Sequence, residues 1–535
     1  VANQFNTPFQ SDKITQSIAR AGEQYDEVPY SSFPFARLQP ERLAAVARLL
    51  GTKVSDPQTA RTLEIGCASG GHLIPLAARY RDAQFVGIDV SQKQIADGQA
   101  RVERLGLNNI TLEKRSLTEL GEADGVFDYI ICHGVYSWIP DEVRESLMQA
   151  CHDRLAPEGV AVISYNVLPG WRMYQVVRDS MILHAGGKAS HAERTAEMRK
   201  LFGLLAEHTN ESTTYAAIWR KEAPRMAQQP DAYLAHELLE DNNAPCTFSD
   251  FVAAAKRHGL GYLGETTLMA GIPENSGAVR GALIRDLAGD DPLAVEQYID
   301  IVVGRTFRQS MLVDQRRAQG VERSLREELL DDLHLIAPLS LKVTASGDAG
   351  PWSIDDGEGS VSETADPAAA EAVKRLVARL PASSTLNDLA PPGQASAEDR
   401  NTMREGLMRL LCMGMIEAST CPINRAAGVS LKPKVWPLAI SDAEAGLDHT
   451  ATLRHAPFEI TPQARFLMPL ANGTRDRGAL IGHLFDFVIG GGVQISEHGV
   501  PVTDPDRLKE ICRAAVDKQL TAFARAGLLV EDSRR

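Results

Sequence analysis

The stretch Thr62-Leu-Glu-Ile-Gly-Cys-Ala-Ser-Gly-Gly71, with Phe85-Val-Gly-Ile-Asp-Val-Ser91 downstream, decides the fold of this chain. A short apolar run carries an acid, Glu64, and opens into a loop with glycines at Gly66, Gly70 and Gly71. A helical segment from His72 to Tyr80 follows, and a second apolar run closes on Asp89. This is a β-α-β unit suited to a nucleoside. Small residues let the backbone approach a ligand, a helix N-terminus lies beside it, and the acid ending the second strand can accept both ribose hydroxyls.

Loop chemistry narrows the ligand. Nicotinamide sites use Gly-x-Gly-x-x-Gly, whereas the order here is Gly66-Cys67-Ala68-Ser69-Gly70-Gly71. An acid two residues before the first glycine is what S-adenosylmethionine (SAM) sites favour, where the ligand has no pyrophosphate and the loop wraps a methionine moiety and an adenosine.

Working outward, strands are expected at 61–65, 84–89, 110–114, 127–132 and 159–165, with helices at 71–80, 91–105 and 141–155. Alternating β and α segments predict a parallel, doubly wound sheet, with ligands outside the carboxyl ends of its strands. Residues 1–50 read as a helical arm broken by Pro29 and Pro34. Its stiffened aromatic stretch, Tyr25 to Phe35, is either a lid or an ordinary packed arm. The SAM-binding domain is placed at 51–180 and a mainly helical domain at 181–340. Residues 292–312 there carry apolar positions near helical spacing. A Gly/Ser/Asp-rich linker or hairpin is expected at 341–368, and a mixed, winged-helix-like module at 369–535.

At 535 residues the chain is too long for one core. A net charge of −14 argues against nucleic acid as the main partner and suits a cationic or lysine-bearing one. The seven cysteines form no C-x-x-C, so reduced thiols in a cytoplasmic protein are expected, with no zinc site. No apolar run is long enough for membrane insertion.

Candidate chemistry lies just after the fourth and fifth strands. Cys132-His-Gly-Val-Tyr-Ser-Trp-Ile-Pro140 and Ser164-Tyr-Asn-Val-Leu-Pro-Gly-Trp171 put His133, Tyr136, Trp138, Asn166 and Trp171 at the edge where an acceptor would meet the methyl group. Aromatic faces and an amide suit a sulfonium opposite an amine. His133 and Tyr136 are the candidate bases, and Trp138 and Trp171 have an alternative reading as core anchors. The cofactor-binding set is Tyr25, Tyr30, Glu64, Gly66, Cys67, Ala68, Gly70, Asp89, Val90, Gln94, Ser116, Leu117, Cys132 and His133. His236-Glu-Leu-Leu-Glu240 lacks the second histidine of a zinc-protease helix and reads as structural.

Together these motifs resemble the bacterial class I methyltransferases with a methyltransferase regulatory domain, which include rickettsial protein lysine methyltransferases that modify outer-membrane proteins. Tyr25-Asp-Glu-Val-Pro-Tyr30 is similar to the family's N-terminal motif. Leu234 to Glu240, His258-Gly-Leu260, Glu296 to Asp300 and Arg305 to Arg308 are similar to the regulatory domain. Leu453-Arg-His455 and Asn472 to Asp476 are similar to the C-terminal module. Two departures stand out: Ala68 where the family has glycine, and Ser116 where many class I enzymes place an acid after the third strand. The resemblance implies SAM as cofactor, a protein-lysine acceptor and a homodimer through the helical region. Two other functions stay open: methylation of a small molecule or peptide natural product, and non-catalytic SAM binding by a regulatory protein.

Overall fold

The structure is a computed structural model that describes residues 8–531, apart from 188–189, 209–211, 241, 322–324, 348–349, 392, 424–427 and 498–499. Five strands run parallel: β1 (Arg61–Ile65), β2 (Gln84–Asp89), β3 (Ile110–Lys114), β4 (Phe127–Cys132) and β5 (Leu155–Asn166). Their apolar runs are buried on both faces, as parallel strands covered by helices require. β5 begins at Leu155, four residues ahead of the expected start, because Leu155 pairs with Phe127 across an irregularity in the ladder. Helices α1 (Pro8–Glu27), α2 (Pro40–Leu49), α3 (Leu73–Arg79), α4 (Gln92–Arg104) and α5 (Asp141–Arg154) accompany them.

The next segment is mainly helical, as expected, but also adds two strands to the sheet. Helices α6 (Trp171–Ala185), α7 (His191–His208), α8 (Thr214–Ala227) and α9 (Asp231–Leu239) pack around Phe202 and Trp219. After α10 (Phe248–Arg257), however, two further strands enter the sheet, β6 (Leu260–Glu265) and β7 (Phe307–Asp314), separated by α11 (Ala278–Ala288) and α12 (Pro292–Val303). The seven-stranded order is β3-β2-β1-β4-β5-β7-β6, with β7 antiparallel to both β5 and β6. The helical spacing read over 292–312 ends at Val303, where Gly304 adopts φ 63° and caps the helix in the left-handed region that an L-residue resists. Beyond it Arg308, on a central strand, is buried and held by three acids. Its guanidinium reaches Glu265 at 2.7 Å, Glu296 at 3.1 Å and Asp300 at 2.8 Å. A charge so deep is tolerable only with such pairing.

The stretch read as a linker or hairpin is a three-stranded antiparallel sheet formed by Lys342–Ala345, Trp352–Asp355 and Val361–Thr364. Its short apolar island supplies Trp352 and Ile354, whose buried side chains anchor it. Lys374, on the following helix, lies 5.3 Å over the Trp352 ring. The C-terminal module contains helices Pro437–Glu444, Pro462–Leu470, Arg477–Ile489 and Pro505–Ala526, with short two-stranded ribbons. It shares one hydrophobic core with the α3–α4 side of the sheet, where Leu73, Ile74 and Ile95 cluster with Trp436 and Leu467. Arg101 of α4 clamps Asp442 through two bonds, of 2.9 and 2.6 Å.

Candidate active site

The sheet reverses its winding order between β1 and β4, and one cavity of about 1340 Å³ opens there. That exceeds the ~300–1,000 Å³ of common ligand sites, so it has room for a nucleoside cofactor and an acceptor side chain together.

Loop geometry follows from its small residues. Gly66 has φ 78°, and a Cβ there would lie 2.5 Å from Val135 Cγ2. The N–H groups of Gly66 and Cys67 both donate to the Ile88 carbonyl, at 2.9 and 3.1 Å. Ala68 has φ 49°, which explains why the family uses glycine at this position. Its N–H donates to Asp89 Oδ2 at 2.8 Å, while Ser91 N–H donates to Oδ1 at 2.9 Å. Asp89 is thereby fixed at the end of β2, and each oxygen keeps a lone pair for a ribose hydroxyl. Burial raises its carboxyl above the usual range, opposed by those N–H donors. Burial, then Asp89, pushes Glu64 up to about 8.

Tyr25, Tyr30, Glu64, Gly66, Cys67, Ala68, Asp89, Val90, Gln94, Ser116, Leu117 and His133 all line the cavity. So do Trp138, Asn166 and Trp171. Among the described residues, five buried polar atoms on this lining have no protein partner: Glu64 Oε2, His72 Nε2, Gln94 Oε1, His133 Nδ1 and Asn166 Nδ2. Buried polar atoms are rarely left unpaired, so this set fits a polar ligand. Burial raises the affinity of both Glu64 and Asp89 for protons, with Asp89 adding to it at Glu64, and a cationic ligand would hold both ionised. S-adenosylmethionine, with its sulfonium and amine, meets that requirement.

Three expected site residues lie elsewhere. Tyr136 is buried in the core beneath the sheet, its ring 5.4 Å from Phe251 and 6.1 Å from Tyr165, with the Arg144 guanidinium over it at 5.1 Å. Gly134 turns the chain at φ 72°, and the single turn Tyr136–Trp138 then sends Trp138 to the cavity and Tyr136 to the core. The assignment of Tyr136 as an acceptor base is therefore corrected. Cys132 is fully buried in the same core, and burial holds its thiol far above the usual range. Gly70 supports the loop from behind, with φ 73° and its N–H donating to the Cys67 carbonyl at 2.8 Å. Cys67 packs against Gly87, where a Cβ would approach its Sγ to 2.8 Å, and burial keeps it a thiol.

His133 packs edge-on to Phe35 at 4.3 Å and faces Phe307 of β7 at 5.9 Å. Burial pulls it down to about 4, so it is neutral at pH 7. Trp171 donates its indole N–H to Asn243 Oδ1 at 3.0 Å and rests on Tyr174, ring centroids 4.7 Å apart.

Residues 25–35 form a strap over the cavity, fastened by contacts that the sequence did not reveal. Asp26 Oδ1 accepts Ser91 Oγ–H at 2.6 Å and Lys93 N–H at 3.0 Å. Gly71 N–H donates to Ser32 Oγ at 2.7 Å, and a Cβ on Gly71 would lie 2.3 Å from the Ser32 carbonyl oxygen. Tyr25 stacks on His236 of α9 at 4.6 Å, and the His236 ring meets the Val28 carbonyl at 2.6 Å. The His236-Glu-Leu-Leu-Glu240 helix thus clasps the strap. Among the described residues no group of three or more His, Cys, Asp or Glu is arranged to hold a metal ion. No described helix is long and apolar enough to cross a membrane.

Known proteins share this arrangement across the chain. Residues 62–159 match a methyltransferase domain, 230–314 a predicted methyltransferase regulatory domain, and 432–528 the PKMT C-terminal winged helix domain. An uncharacterized protein of Rickettsia prowazekii, RP789, is 30% identical over 95% of this chain and 93% of its own length. A second uncharacterized protein of that organism, RP028, is 35% identical over 44% of this chain and 94% of its own length. The solved structure of PKMT2 from Rickettsia typhi, known also in complex with AdoHcy, is 25% identical and superposes with a TM-score of 0.82, covering 94% of this chain and 100% of that one. With a nucleoside loop, a cavity fitted to a cationic nucleoside and a relative of this extent, the chain belongs to the bacterial class I SAM-dependent methyltransferases that carry a methyltransferase regulatory domain and a C-terminal winged-helix domain.

Proposed function

We propose that this methyltransferase modifies lysine side chains of a protein acceptor. One observation carries the reading. The cavity continues from Asp89 and Glu64 into a compartment walled by Trp138, Trp171, Tyr174 and Tyr233, where Asn166 Nδ2 has no protein partner. Aromatic walls can desolvate an alkyl stem and attract its cationic tip, by ~0.5–2 kcal/mol per ring. The likeness to PKMT2 and to the rickettsial protein lysine methyltransferases supports the same acceptor class.

Within this reading Asp89 and the 66–68 loop hold the nucleoside, and the strap from Tyr25 to Phe35 excludes water. SAM supplies an electrophilic methyl group on a positively charged sulfur. Neutral His133 adds no charge to repel that cation. Trp138 and Trp171 bracket the alkyl stem, and Asn166 orients the nitrogen. Orientation of this kind supplies up to ~7–11 kcal/mol of a barrier in well-aligned cases. The test is transfer of tritiated methyl from SAM to lysate protein of a deletion strain, followed by acid hydrolysis. Methyl-lysine is the expected product, and label on a carboxylate, a hydroxyl or a small metabolite refutes the lysine reading.

A further inference from the structure

Glu237 of α9 lines the cavity and is not explained by the cofactor half of the site. It is half-buried, and among the described residues its carboxylate makes no hydrogen bond and no ion pair. Helices normally turn such a residue to solvent, but the strap encloses this one. Arg20 of α1, Tyr25 and Tyr30 of the strap, Tyr174 and Arg178 of α6, Lys221, Glu222 and Arg225 of α8, and Tyr233, His236 and Glu240 of α9 are the titratable and charged groups that share the cavity wall with it or act on it. Arg178 and Arg225 are engaged elsewhere. Arg225 donates to Glu222 at 2.8 Å and to the Tyr174 hydroxyl at 2.8 Å, and Arg178 donates to the Glu240 carbonyl.

Glu237 is also tied to the reacting end of the cavity. Tyr25 and Tyr30 of the strap line the same cavity as Asp89 and Glu237. Tyr174 lines that cavity with Glu237, and its ring lies 4.7 Å from that of Trp171. Glu237 therefore shares one cavity with the aromatic residues assigned above to the acceptor.

We propose that Glu237 is the ammonium receptor of the acceptor compartment: it pairs with the incoming ammonium and takes its proton before methylation. The inference rests on the lysine reading. In the step, one N–H bond of the acceptor ammonium breaks and one O–H bond forms on the Glu237 carboxylate, leaving a neutral amine with a free lone pair. No electrons change hands and no co-reactant is needed. Burial has pushed this carboxyl up to about 7, with Arg178 and Arg225 opposing. It thus stands nearer to a desolvated lysine than an ordinary glutamate does, and the proton moves across a smaller gap. A neutral acceptor gains nothing from this group, so Glu237 also selects for charge.

The experiment uses the full chain saturated with S-adenosylhomocysteine and two probes, N-acetyl-lysine methylamide and its uncharged analogue N-acetyl-norleucine methylamide, with binding followed by tryptophan fluorescence. Wild type is expected to prefer the lysine probe at least tenfold. Glu237→Gln should abolish the preference by weakening only the lysine probe, with S-adenosylhomocysteine affinity held within twofold. Glu237→Asp should restore part of it. For activity on hypomethylated lysate protein, Glu237→Gln should lower the rate more than tenfold at pH 7 and recover toward pH 9.5, as free amine becomes available. Equal probe preference in wild type and Glu237→Gln overturns the proposal, whatever atom the enzyme methylates. Loss of preference in the variant, together with a wild-type product other than methyl-lysine, supports the cation receptor and refutes only the lysine reading.

Discussion

Asp26→Ala tests whether the strap closes as part of cofactor binding. In the structure Asp26 Oδ1 accepts a 2.6 Å bond from the Ser91 hydroxyl and a 3.0 Å bond from Lys93 N–H. Ser91 is fully buried, and its oxygen is already spent as the cap of α4, accepting Gln94 N–H at 3.2 Å. Removing Asp26 leaves that hydroxyl proton without an acceptor, at ~1–3 kcal/mol for a buried group. Water can enter once the strap lifts, so the lower part of this range applies, about 1–2 kcal/mol. If the strap opens in the free protein and shuts over the ligand, the loss is charged to binding, and SAM affinity falls about 5- to 30-fold. Asp26→Asn keeps one acceptor oxygen and should lose less. Titration calorimetry with SAM, paired with a thermal melt of ligand-free protein, reads both quantities. A variant that melts lower but binds SAM within twofold of wild type would refute the coupling, because the strap would then be shut with or without ligand.

Other expectations are more local. Ala68 sits at φ 49°, which costs an L-residue ~1–2 kcal/mol, so Ala68→Gly should raise stability by up to about 1 kcal/mol after the added chain entropy is counted; a lower melting temperature would contradict the strained loop. Tyr136→Phe should leave kcat and SAM affinity within twofold of wild type, because the ring packs in the core and not on the cavity; a large fall in kcat would restore the hydroxyl to the acceptor site. Glu64 holds a proton up to about pH 8 in the folded protein, whereas an unfolded glutamate loses it near 4.5, so the ligand-free protein loses stability as pH rises through that window. A bound cation favours the ionised form, so SAM binding at pH 6.5 should release a proton. Calorimetry in buffers of different ionisation enthalpy measures that release, and its persistence in Glu64→Gln would mean another group supplies it.

The β-α-β core was legible because everything that specifies it is local. Apolar runs, a loop of small residues and an acid at a strand end lie within 62–91, and the same short segment forms the nucleoside half of the cavity. Spacing places residues after β4 at the right edge but does not say which face they take. A single tight turn separated Trp138, on the cavity, from Tyr136, in the core. The His236–Glu240 helix hid its role for another reason. Its polar residues look like a solvent face until a strap 208 positions earlier in the chain covers them. The strands after α10 were masked because Arg308, a charge in mid-strand, is paid for by acids from α12 and β6, a compensation visible only in three dimensions.

The regulatory domain is thus part of the active site's wall, not an appendage to it. Its β7 extends the catalytic sheet by pairing with β5, and the first residue of that strand, Phe307, faces His133 in the cavity. The next residue, Arg308, is the hub that locks α12 to β6. One peptide bond thus joins the residue that ties α12 to β6 and a residue on the cavity wall. The same domain contributes His236 to hold the strap and Glu237 to the cavity wall. The strap's anchor, part of the cavity wall and the edge of the sheet consequently come from one domain. Excising 230–314 would not yield an unregulated enzyme, because it removes two strands of the sheet and one side of the cavity.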